Sequence, residues 1–600
     1  MKINRRDLLK LGAYSAVLMT SSGLHGCNSS TSDGVSEGSF DHGVASGDPL
    51  SDSVVIWTRV TPPMRAPVTV SWQVATDADF QQRVNEDQTT VDEARDYTVK
   101  VDVQGLDPDT IYYYRFLTGS RFSAVGRTKT LADGSVSQVR LAVLSCSNYP
   151  GGFFNVYAEL AADDALDGVL HLGDYIYEYG RTDDAGNPAY ASEDAAAMGR
   201  LVAPANECIT LQDYRTRYAQ YRSDPDLQAV HALLPFITVW DDHEVANDAY
   251  KSGAENHDPS TEGDFNQRKL AAIQAYFEWL PLRPLTPDTE GRIYRRFEFG
   301  NLVNLIMLDT RIIGRDKQLD YADYIDPVSG NFDVDAFTQD VTSSGRSLIG
   351  APQMAWLTDT MNQSTATWQV LGQQVLMMRM LLPAVTLTPT ATAPTVSLAE
   401  YGRIATAAVT YQTLLAKGVD GNDASALLAA GMTEEQLAIV NDPVKMGYLQ
   451  SPFIPYNLDA WDGYAYDREH LLANAKAAQK NLISLAGDTH NAWAGRLTDA
   501  NGEVVGVEFA TASVTSPGLE HYLGLANAEA ARSTESGVVQ MISDLDYCNV
   551  RERGLLIMTF TPDQATAEWR FVDTVKDRQY RVVTGIGKSL TLAAGGKTLV

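Results

Sequence analysis

Cysteine is scarce in this chain, with only four among 600 residues. Small domains that depend on disulfides need a much denser set, so a disulfide scaffold is excluded. Cys27 lies in the N-terminal leader and Cys146 follows a predicted strand. Cys208 and Cys548 are left over and could pair in an oxidising compartment, but their wide separation in sequence leaves that question open.

Positive charge is also in deficit: 47 Lys and Arg residues stand against 76 Asp and Glu, and the formal net charge is −29. A field of this sign repels nucleic acid and anionic membrane surfaces, so we expect no nucleic-acid binding beyond a possible substrate. Most of the carboxylates are expected to form a solvated surface, although an acidic chain is compatible with bound cations. After the leader, no apolar run is long enough to predict a transmembrane helix.

Residues 1–39 have the features of an export signal followed by a polar linker. Arg5 and Arg6 precede a weakly apolar stretch from Leu11 to Met19, which resembles a twin-arginine signal. We therefore predict export by the twin-arginine machinery to the periplasm or the cell surface. The segment Leu24-His25-Gly26-Cys27 loosely resembles a lipoprotein processing site with Cys27 as the lipidated residue, but His25 is atypical there, and a lipid anchor stays an open question.

The length of the chain favours two or more domains. Residues 40–131 contain short β-branched and aromatic runs between turn residues, which predicts an N-terminal β-sandwich, and the segment from Leu106 to Tyr114 resembles the corner of fibronectin-type modules. Over residues 139–600, apolar strands alternate with amphipathic helices, which predicts an α/β sandwich. A stretch at about 383–455 interrupts this alternation and is interpreted as an insertion with helical patches around 424–440.

Side chains that could carry chemistry recur just after four predicted strands. Ligands of open α/β sheets bind beyond the carboxyl ends of strands, so these positions are candidates for one site at one sheet edge. A single Asp after a strand is usually a helix cap, and a single His is usually structural. Their repetition favours a metal centre. The four segments are Ser145-Cys146, Gly173-Asp174-Tyr175-Ile176-Tyr177-Glu178, Asp241-Asp242-His243-Glu244 and Gly487-Asp488-Thr489-His490.

These segments resemble the motifs of the metallophosphoesterase superfamily and, within it, the alkaline phosphatase D (PhoD-like) family. The superfamily pattern runs DxH, GDxx(D/Y), GNH(D/E), a lone His and GHxH. Asp174 and Tyr177 fit the second motif with its tyrosine option, while Asp242 replaces Asn in the third and Asp488 replaces the first His in the last. Cys146 takes the place of the leading Asp. These departures are themselves the pattern of the PhoD-like subgroup.

The resemblance covers roughly residues 40–572 apart from the insertion. It implies an α/β fold in which a fibronectin-like β-sandwich is followed by a metallophosphoesterase-type α/β/β/α sandwich. The lone His has no counterpart around Leu371-Gly372-Gln373-Gln374, and no ligand is assigned there. The expected activity is that of an alkaline phosphatase, which hydrolyses small or polymeric phosphate esters.

The resemblance also implies iron and calcium as cofactors, and the ligand types agree with it. A thiolate and a phenolate suit Fe(III), and carboxylate-rich surroundings suit Ca²⁺. Carboxylates in place of imidazoles move the site away from zinc-like nitrogen ligation. The predicted metal ligands are Cys146, Asp174, Tyr177, Asp242, Asp488 and His490.

The expected mechanism is attack on phosphorus by a metal-bound hydroxide, with Asp174 bridging two ions. From its position in the superfamily motif, His243 is expected to give a hydrogen bond or a proton to the leaving group. Arg311 could clamp phosphate oxygens, and a salt bridge to Asp309 or another neighbour is an equally good interpretation.

Two other functions fit parts of the pattern. A phosphodiesterase, including one of phospholipase D type, would use the same metal centre, and the sequence does not separate it from a monoesterase. A non-enzymatic calcium-binding surface protein would also be acidic and contain a β-sandwich. The latter would need calcium ligands in loops between β modules, with no use for Cys146, Tyr177 or His243.

Overall fold

The computed structural model describes residues 38–183, 186, 189–283, 292–326, 328–329, 332–388 and 395–600. The predicted export signal and Cys27 therefore lie outside the described residues. Among the described residues, Cys208 and Cys548 are both buried and free, so the disulfide left open above is not formed. No helix in these ranges combines the length and the apolar character needed to cross a membrane.

The strands are short. Most are buried because they consist of apolar runs such as Val139–Leu144. In chain order they are β1 Val44–Gly47, β2 Ser53–Arg59, β3 Val68–Ala75, β4 Arg83–Val91, β5 Thr98–Gln104, β6 Ile111–Thr118, β7 Arg121–Phe122, β8 Gly126–Lys129, β9 Val139–Leu144, β10 Gly168–His171, β11 Pro235–Thr238, β12 Arg295–Phe299, β13 Val303–Met307, β14 Trp368–Gly372, β15 Leu381–Pro383, β16 Phe453–Pro455, β17 Asn481–Ala486, β18 Ala492–Thr498, β19 Val504–Ala510, β20 Leu545–Asn549, β21 Arg553–Phe560, β22 Gln564–Val572 and β23 Ser589–Ala593.

The helices begin mostly at Asp, Thr, Ser or Asn caps, as at Thr210, whose side chain and that of Asp213 form a capping box. In chain order the α-helices are α1 Asn155–Leu160, α2 Leu211–Arg222, α3 Pro225–Leu233, α4 Phe265–Trp279, α5 Val334–Val341, α6 Gly350–Gln363, α7 Ala384–Leu387, α8 Leu398–Ala416, α9 Ala424–Ala429, α10 Glu434–Val440, α11 Pro443–Tyr448, α12 Ala465–Ala477, α13 Leu519–Tyr522 and α14 Ala528–Met541.

Two large sheets form the centre of the protein. The first has the order β23-β22-β21-β9-β10-β11-β1-β2-β5, and the second has the order β12-β13-β14-β17-β19-β18-β20. Residues from both sheets, such as Val143 and Ile483, belong to one buried apolar cluster. Tyr214 of α2 joins the same cluster, while Leu357 of α6 and Leu471 of α12 pack in a second cluster with the other sheet. The layers are therefore α/β/β/α, as expected from the sequence.

The N-terminal β-sandwich shares a sheet with the rest of the protein. Its outer sheet has the order β4-β3-β6-β7, with β8 also paired to β6. Its inner strands, β1, β2 and β5, extend the nine-stranded sheet, because β1 pairs in parallel with β11. The fibronectin-type corner is present: the backbone N–H of Asp107 donates to the Tyr112 hydroxyl over 2.9 Å. The sheet thus runs across the predicted boundary between residues 131 and 139.

The insertion predicted at 383–455 is framed by β15 and β16, which pair antiparallel at its two ends. Helices α9 and α10 confirm the predicted helical patches. The nineteen-residue helix α8 was not predicted. Its signal was a Ser397 cap, which accepts the Glu400 N–H, followed by an apolar face with Ile404 and Ala407 buried.

Candidate metal centre

The predicted ligands lie on tight loops that directly follow strands. Cys146 follows β9 and Asp174 follows β10 in the first sheet, while Asp488 and His490 follow β17 in the second. All four have positive φ angles, between 54° and 63°, which side chains other than glycine seldom adopt. Strained backbone of this kind persists where the surroundings enforce it, most often at functional sites.

The ligand-bearing loops come from two facing sheets, and the expectation of a single sheet edge is wrong in this respect. The loops after β9, β10 and β11 belong to the first sheet, and the loop after β17 belongs to the second. Both sheets have parallel strands at their centres, so the carboxyl ends of these strands meet at one side of the sandwich. The interface between the sheets therefore ends in a shared group of polar side chains.

The predicted ligands converge in space. Donor atoms of Cys146, Asp174 and His490 all lie within 4.8 Å of one another. The same holds for two further groups, which are Asp174, Asp242 and His243, and Asp241, Asp242 and Asp488. A non-enzymatic calcium protein would not need the thiol and the imidazole in such a cluster.

Tyr177 closes the thiol side of the cluster. Its hydroxyl donates to Asp174 Oδ2 over 2.9 Å, lies 3.2 Å from His490 Nε2 and accepts from the Ser516 hydroxyl over 2.7 Å. His490 Nδ1 lies 2.7 Å from the Pro517 carbonyl, to which it can donate. Burial lowers the pKa of His490 to about 3, so the ring is neutral, and its Nε2 atom faces the Tyr177 hydroxyl.

The donor set fits bound cations. Asp174 Oδ1 and Asp241 Oδ2 are buried without a hydrogen-bond partner among the described residues. Burial, together with neighbouring carboxylates, raises the pKa of Asp174 and of Asp241 well above the usual range. Burial and the charge of Asp174 likewise raise the pKa of the Cys146 thiol. A cation would reverse each of these effects, because it stabilises the deprotonated form of its ligands.

Arg311 lies inside the carboxylate group and is fully buried. Its guanidinium donates to Asp241, to Asp459 over 2.6 Å and to Asp488 over 2.7 Å. Of the two interpretations of Arg311, the structure shows the ion pair: its partners are these three carboxylates and, over 3.8 Å, Asp242. The backbone N–H of Arg311 donates to Asp309 Oδ1 over 2.9 Å.

Gln374 occupies the region where the lone His is missing. Its Oε1 accepts from the Thr310 N–H over 3.1 Å and from the Thr310 hydroxyl over 2.5 Å. Its Nε2 donates to the Leu308 carbonyl over 3.1 Å. Gln374 therefore supports the loop that carries Arg311.

His243 lies beside the cluster with its Nδ1 atom 2.7 Å from Glu178 Oε2. Although burial opposes a charged ring, Glu178, Asp242 and Asp174 raise the pKa of His243 well above its ordinary value. Burial also raises the pKa of Asp242, but the charges of Arg311 and His243 outweigh burial and lower this pKa to about 2. The site thus combines a cationic imidazole with an ionised carboxylate.

Sequence reasoning left several neighbours of the cluster without a role. Glu244, although part of the third motif, was not assigned one. Its side chain accepts from the backbone N–H groups of Asp174 over 3.1 Å, Tyr175 over 2.6 Å and Asp241 over 2.7 Å, which ties the loops after β10 and β11 together. The other neighbours, which have no motif of their own, are Glu178, Asp248 and Asp459.

The cluster opens into a cleft of about 850 Å³. Its floor includes Asp174, His243 and His490, and many of its walls are tyrosines, for example Tyr190 and Tyr456. The volume is sufficient for an organic phosphate ester of moderate size.

Comparison with known proteins agrees with this geometry. Residues 141–569 match the PhoD-like phosphatase family, and residues 26–132 match the N-terminal domain of PhoD-like phosphatases. The chain is 33% identical over 557 residues to alkaline phosphatase D of Bacillus subtilis (strain 168), which covers 90% of this chain and 78% of that protein. A solved structure of PhoD is similar with 30% identity and a TM-score of 0.68, covering 94% of this chain and 91% of that chain. The chain belongs to the PhoD-like phosphatase family, and it is a phosphoric ester hydrolase.

Proposed function

We propose that this phosphatase depends on iron(III) and calcium ions held by the cluster. One observation carries the proposal: the donor atoms of Cys146, Asp174 and His490 lie within 4.8 Å of one another, Asp174 shares a second such group with Asp242, and Asp242 shares a third with Asp241 and Asp488. A carboxylate shared between two groups is suited to bridge two ions. Of the remaining predicted ligands, Asp242 and Asp488 belong to the third group, and the Tyr177 hydroxyl contacts Asp174 and His490.

The two sides of the cluster differ in their donor chemistry. The side with Cys146 and Tyr177 offers sulfur and phenol oxygen, which are strong charged donors when deprotonated and favour Fe(III). The side with Asp241, Asp242 and Asp488 offers only carboxylate oxygens, which Ca²⁺ prefers. The thiol-phenol side is therefore assigned to iron and the carboxylate side to calcium.

Bound cations supply charge neutralisation of the phosphate ester and acidification of water. The side chains of this protein have separate tasks around them. Arg311 holds Asp241 and Asp488 in place by ion pairs. His243 faces the cleft and donates a proton or a hydrogen bond to the oxygen of the leaving alcohol. The direct clamping of phosphate oxygens by Arg311 stays a prediction.

The experiment that tests the metal assignment is an elemental analysis of purified protein combined with chelation. We expect iron and calcium to be present, hydrolysis of an aryl phosphate to be lost after prolonged chelation, and activity to return when both ions are added back. Rates on an aryl phosphomonoester and on the matching diester would show which ester is preferred. Hydrolysis that survives complete removal of metal would contradict the proposal.

We propose further that the protein acts after export by the twin-arginine route, in the periplasm or at the cell surface. The support is the pair Arg5-Arg6 before the weakly apolar stretch that ends at Met19. Lys substitution at both arginines should leave the precursor inside the cell, as followed by fractionation and immunoblotting. Cys27→Ser in the same assay tests lipid anchoring, because an anchored protein would then leave the membrane fraction.

A further inference from the structure

We propose that Glu178 is the positioning residue of His243. Glu178 directly follows Tyr177 in sequence and is fully buried. Its Oε2 atom accepts from Nδ1 of His243 over 2.7 Å. The inference rests on the proposed function, because it requires His243 to serve the leaving group. Glu178 then influences hydrolysis through His243 and without contact to substrate.

Both oxygens of the Glu178 carboxylate are committed. While Oε2 contacts His243, Oε1 accepts from the backbone N–H of Asn247 over 2.8 Å and from Asn256 Nδ2 over 2.8 Å. A carboxylate held at both oxygens cannot rotate, so the direction of the bond to His243 is fixed.

A second group of polar residues holds Asn256, which is a hydrogen-bond partner of the Glu178 carboxylate. Asn256 Nδ2 also donates to Glu207 Oε1 over 3.1 Å, and Glu207 accepts from Arg268 Nη2 over 2.5 Å. The guanidinium of Arg268 is fully buried and also pairs with Glu262 over 2.8 Å. A buried guanidinium that pairs with two partly exposed carboxylates makes a rigid support.

The imidazole of His243 is held between aromatic rings. Its centroid lies 4.3 Å from that of Tyr177, 5.3 Å from that of Tyr179 and 6.4 Å from that of Tyr190, the last nearly parallel at 9°. These rings set the plane of the imidazole, and Glu178 selects which of its two nitrogens points away from the cleft. Because His243 lines the cleft, Nε2 is the nitrogen left for the leaving group.

A purely structural glutamate would lie in a similar setting, and Glu508 provides the comparison. It is also fully buried, and it accepts from the Met378 backbone N–H over 2.8 Å and from the Ser484 hydroxyl over 2.9 Å. Its hydrogen-bond partners among the described residues are Gln373, Met377, Met378 and Ser484, none of which is a histidine. Glu508→Gln is therefore the matched control for Glu178→Gln, since both exchange a buried carboxylate for an amide of the same shape.

The experiment compares two phosphomonoesters with the metal-loaded full chain. An alkyl phosphate needs a proton on its leaving oxygen, whereas a nitrophenyl phosphate releases a stable anion and needs little help. We expect Glu178→Gln to lower kcat/KM for the alkyl ester by about 10- to 100-fold and for the nitrophenyl ester by less than about threefold. Glu508→Gln should change both rates by the same small factor.

A double-mutant cycle tests whether Glu178 acts through His243. In a His243→Ala background, Glu178→Gln should cost no further activity on the alkyl ester, because the group that it positions is gone. If Glu178→Gln does not fold, Asn256→Ala removes one hydrogen bond to the same carboxylate. It should lower kcat/KM for the alkyl ester by a few-fold and leave that for the nitrophenyl ester nearly unchanged. Circular dichroism and thermal unfolding verify that each variant is folded.

The outcomes separate the two levels of the proposal. Wild-type protein that hydrolyses neither ester would overturn the proposed function, and this inference with it. Equal loss on both esters in Glu178→Gln, or full additivity with His243→Ala, would overturn the role of Glu178 alone. A selective loss on the alkyl ester that vanishes without His243 would support it.

Discussion

Two buried histidines, His171 and His243, lie at or beyond the ends of neighbouring strands of the same sheet. The first contacts hydroxyl groups and the second contacts a carboxylate. His171 ends β10, and its Nε2 atom lies 3.0 Å from the Tyr157 hydroxyl and 3.3 Å from the Ser147 hydroxyl. His243 lies beyond β11 and pairs with the Glu178 carboxylate. Burial lowers the pKa of His171 to about 3, whereas nearby carboxylates raise that of His243 despite burial.

The difference shows that the partner, and not burial, decides what a buried histidine can do. Two hydroxyl groups contact the Nε2 atom of His171, its Nδ1 atom has no partner among the described residues, and burial leaves the ring neutral at ordinary pH. Carboxylates stabilise the cationic form of His243, which is the form able to give a proton. We therefore regard the surroundings of His171 as structural and those of His243 as functional, and four predictions test this division.

The largest effect is expected at Asp174, which belongs to the charged surroundings of His243. Asp174→Asn keeps the shape of the side chain but removes the charge that two ions would share. We expect hydrolysis of an aryl phosphate to fall by about 10⁴-fold or more while circular dichroism stays that of the wild type. Near-normal turnover in a metal-loaded sample would remove Asp174 from the bridging position.

Substitution of His243 is expected to have the next largest effect. His243→Ala should lower kcat/KM for an alkyl phosphate by about 10²- to 10⁴-fold, because general acid catalysis contributes a factor of this size. The metal content should be unchanged, as measured by elemental analysis. A loss of metal in parallel with activity would instead identify His243 as a ligand.

His171→Phe should affect stability and not catalysis. Tyr157 and Ser147 remain within 2.6 Å of each other, so their hydroxyls keep a partner when the imidazole is removed. We expect the free energy of unfolding to change by about 1–3 kcal/mol and kcat/KM per folded molecule to stay within about twofold. Denaturant titration and kinetics on the same preparation measure both. A loss of catalysis without a change in stability would contradict a purely structural role of His171.

The last prediction concerns the pH dependence of the free energy of unfolding, where His171 has no effect on catalysis. The folded pKa of His171, about 3, lies below its ordinary value of 6.5, so between these values the unfolded chain binds the extra proton. The contribution of His171 to the free energy of unfolding is fully present above pH 6.5. It is lost as the pH falls from 6.5 toward 3, by at most about 1.4 kcal/mol per pH unit. His171→Phe should flatten this part of the curve relative to the wild type. Parallel curves for the two proteins would show that His171 is not buried in its neutral form.

Much of the catalytic half could be predicted because its signals are local. The apolar strands β9, β10 and β17 end at Leu144, His171 and Ala486, directly or one residue before the polar segments that the sequence predicts to follow strands, since each is a buried apolar run. Five of the predicted ligands lie in the groups of neighbouring donor atoms, namely Cys146, Asp174, Asp242, Asp488 and His490. The roles assigned to these residues stay predictions until they are tested.

The parts that were missed depend on contacts between distant segments. Glu178 meets His243 across 65 positions, and Arg311 meets Asp459 across 148, and neither pair has a periodic or motif signature. The interpretation of Arg311 was left open for the same reason. The distribution of ligand loops over two sheets was missed because strand patterns do not tell which sheet a strand joins.

The shared nine-stranded sheet has a consequence for how the chain can be divided. Strand β1, formed near the start of the chain, takes its neighbour β11 from residues almost two hundred positions later. A catalytic half expressed alone would leave the open edge of β11 to solvent, and such edges invite pairing with other molecules. The N-terminal half made alone would lack the strand against which β1 aligns. During synthesis on a ribosome, β1 therefore cannot pair with β11 until β11 has emerged, and neither the N-terminal β-sandwich nor the catalytic domain has its complete sheet before then.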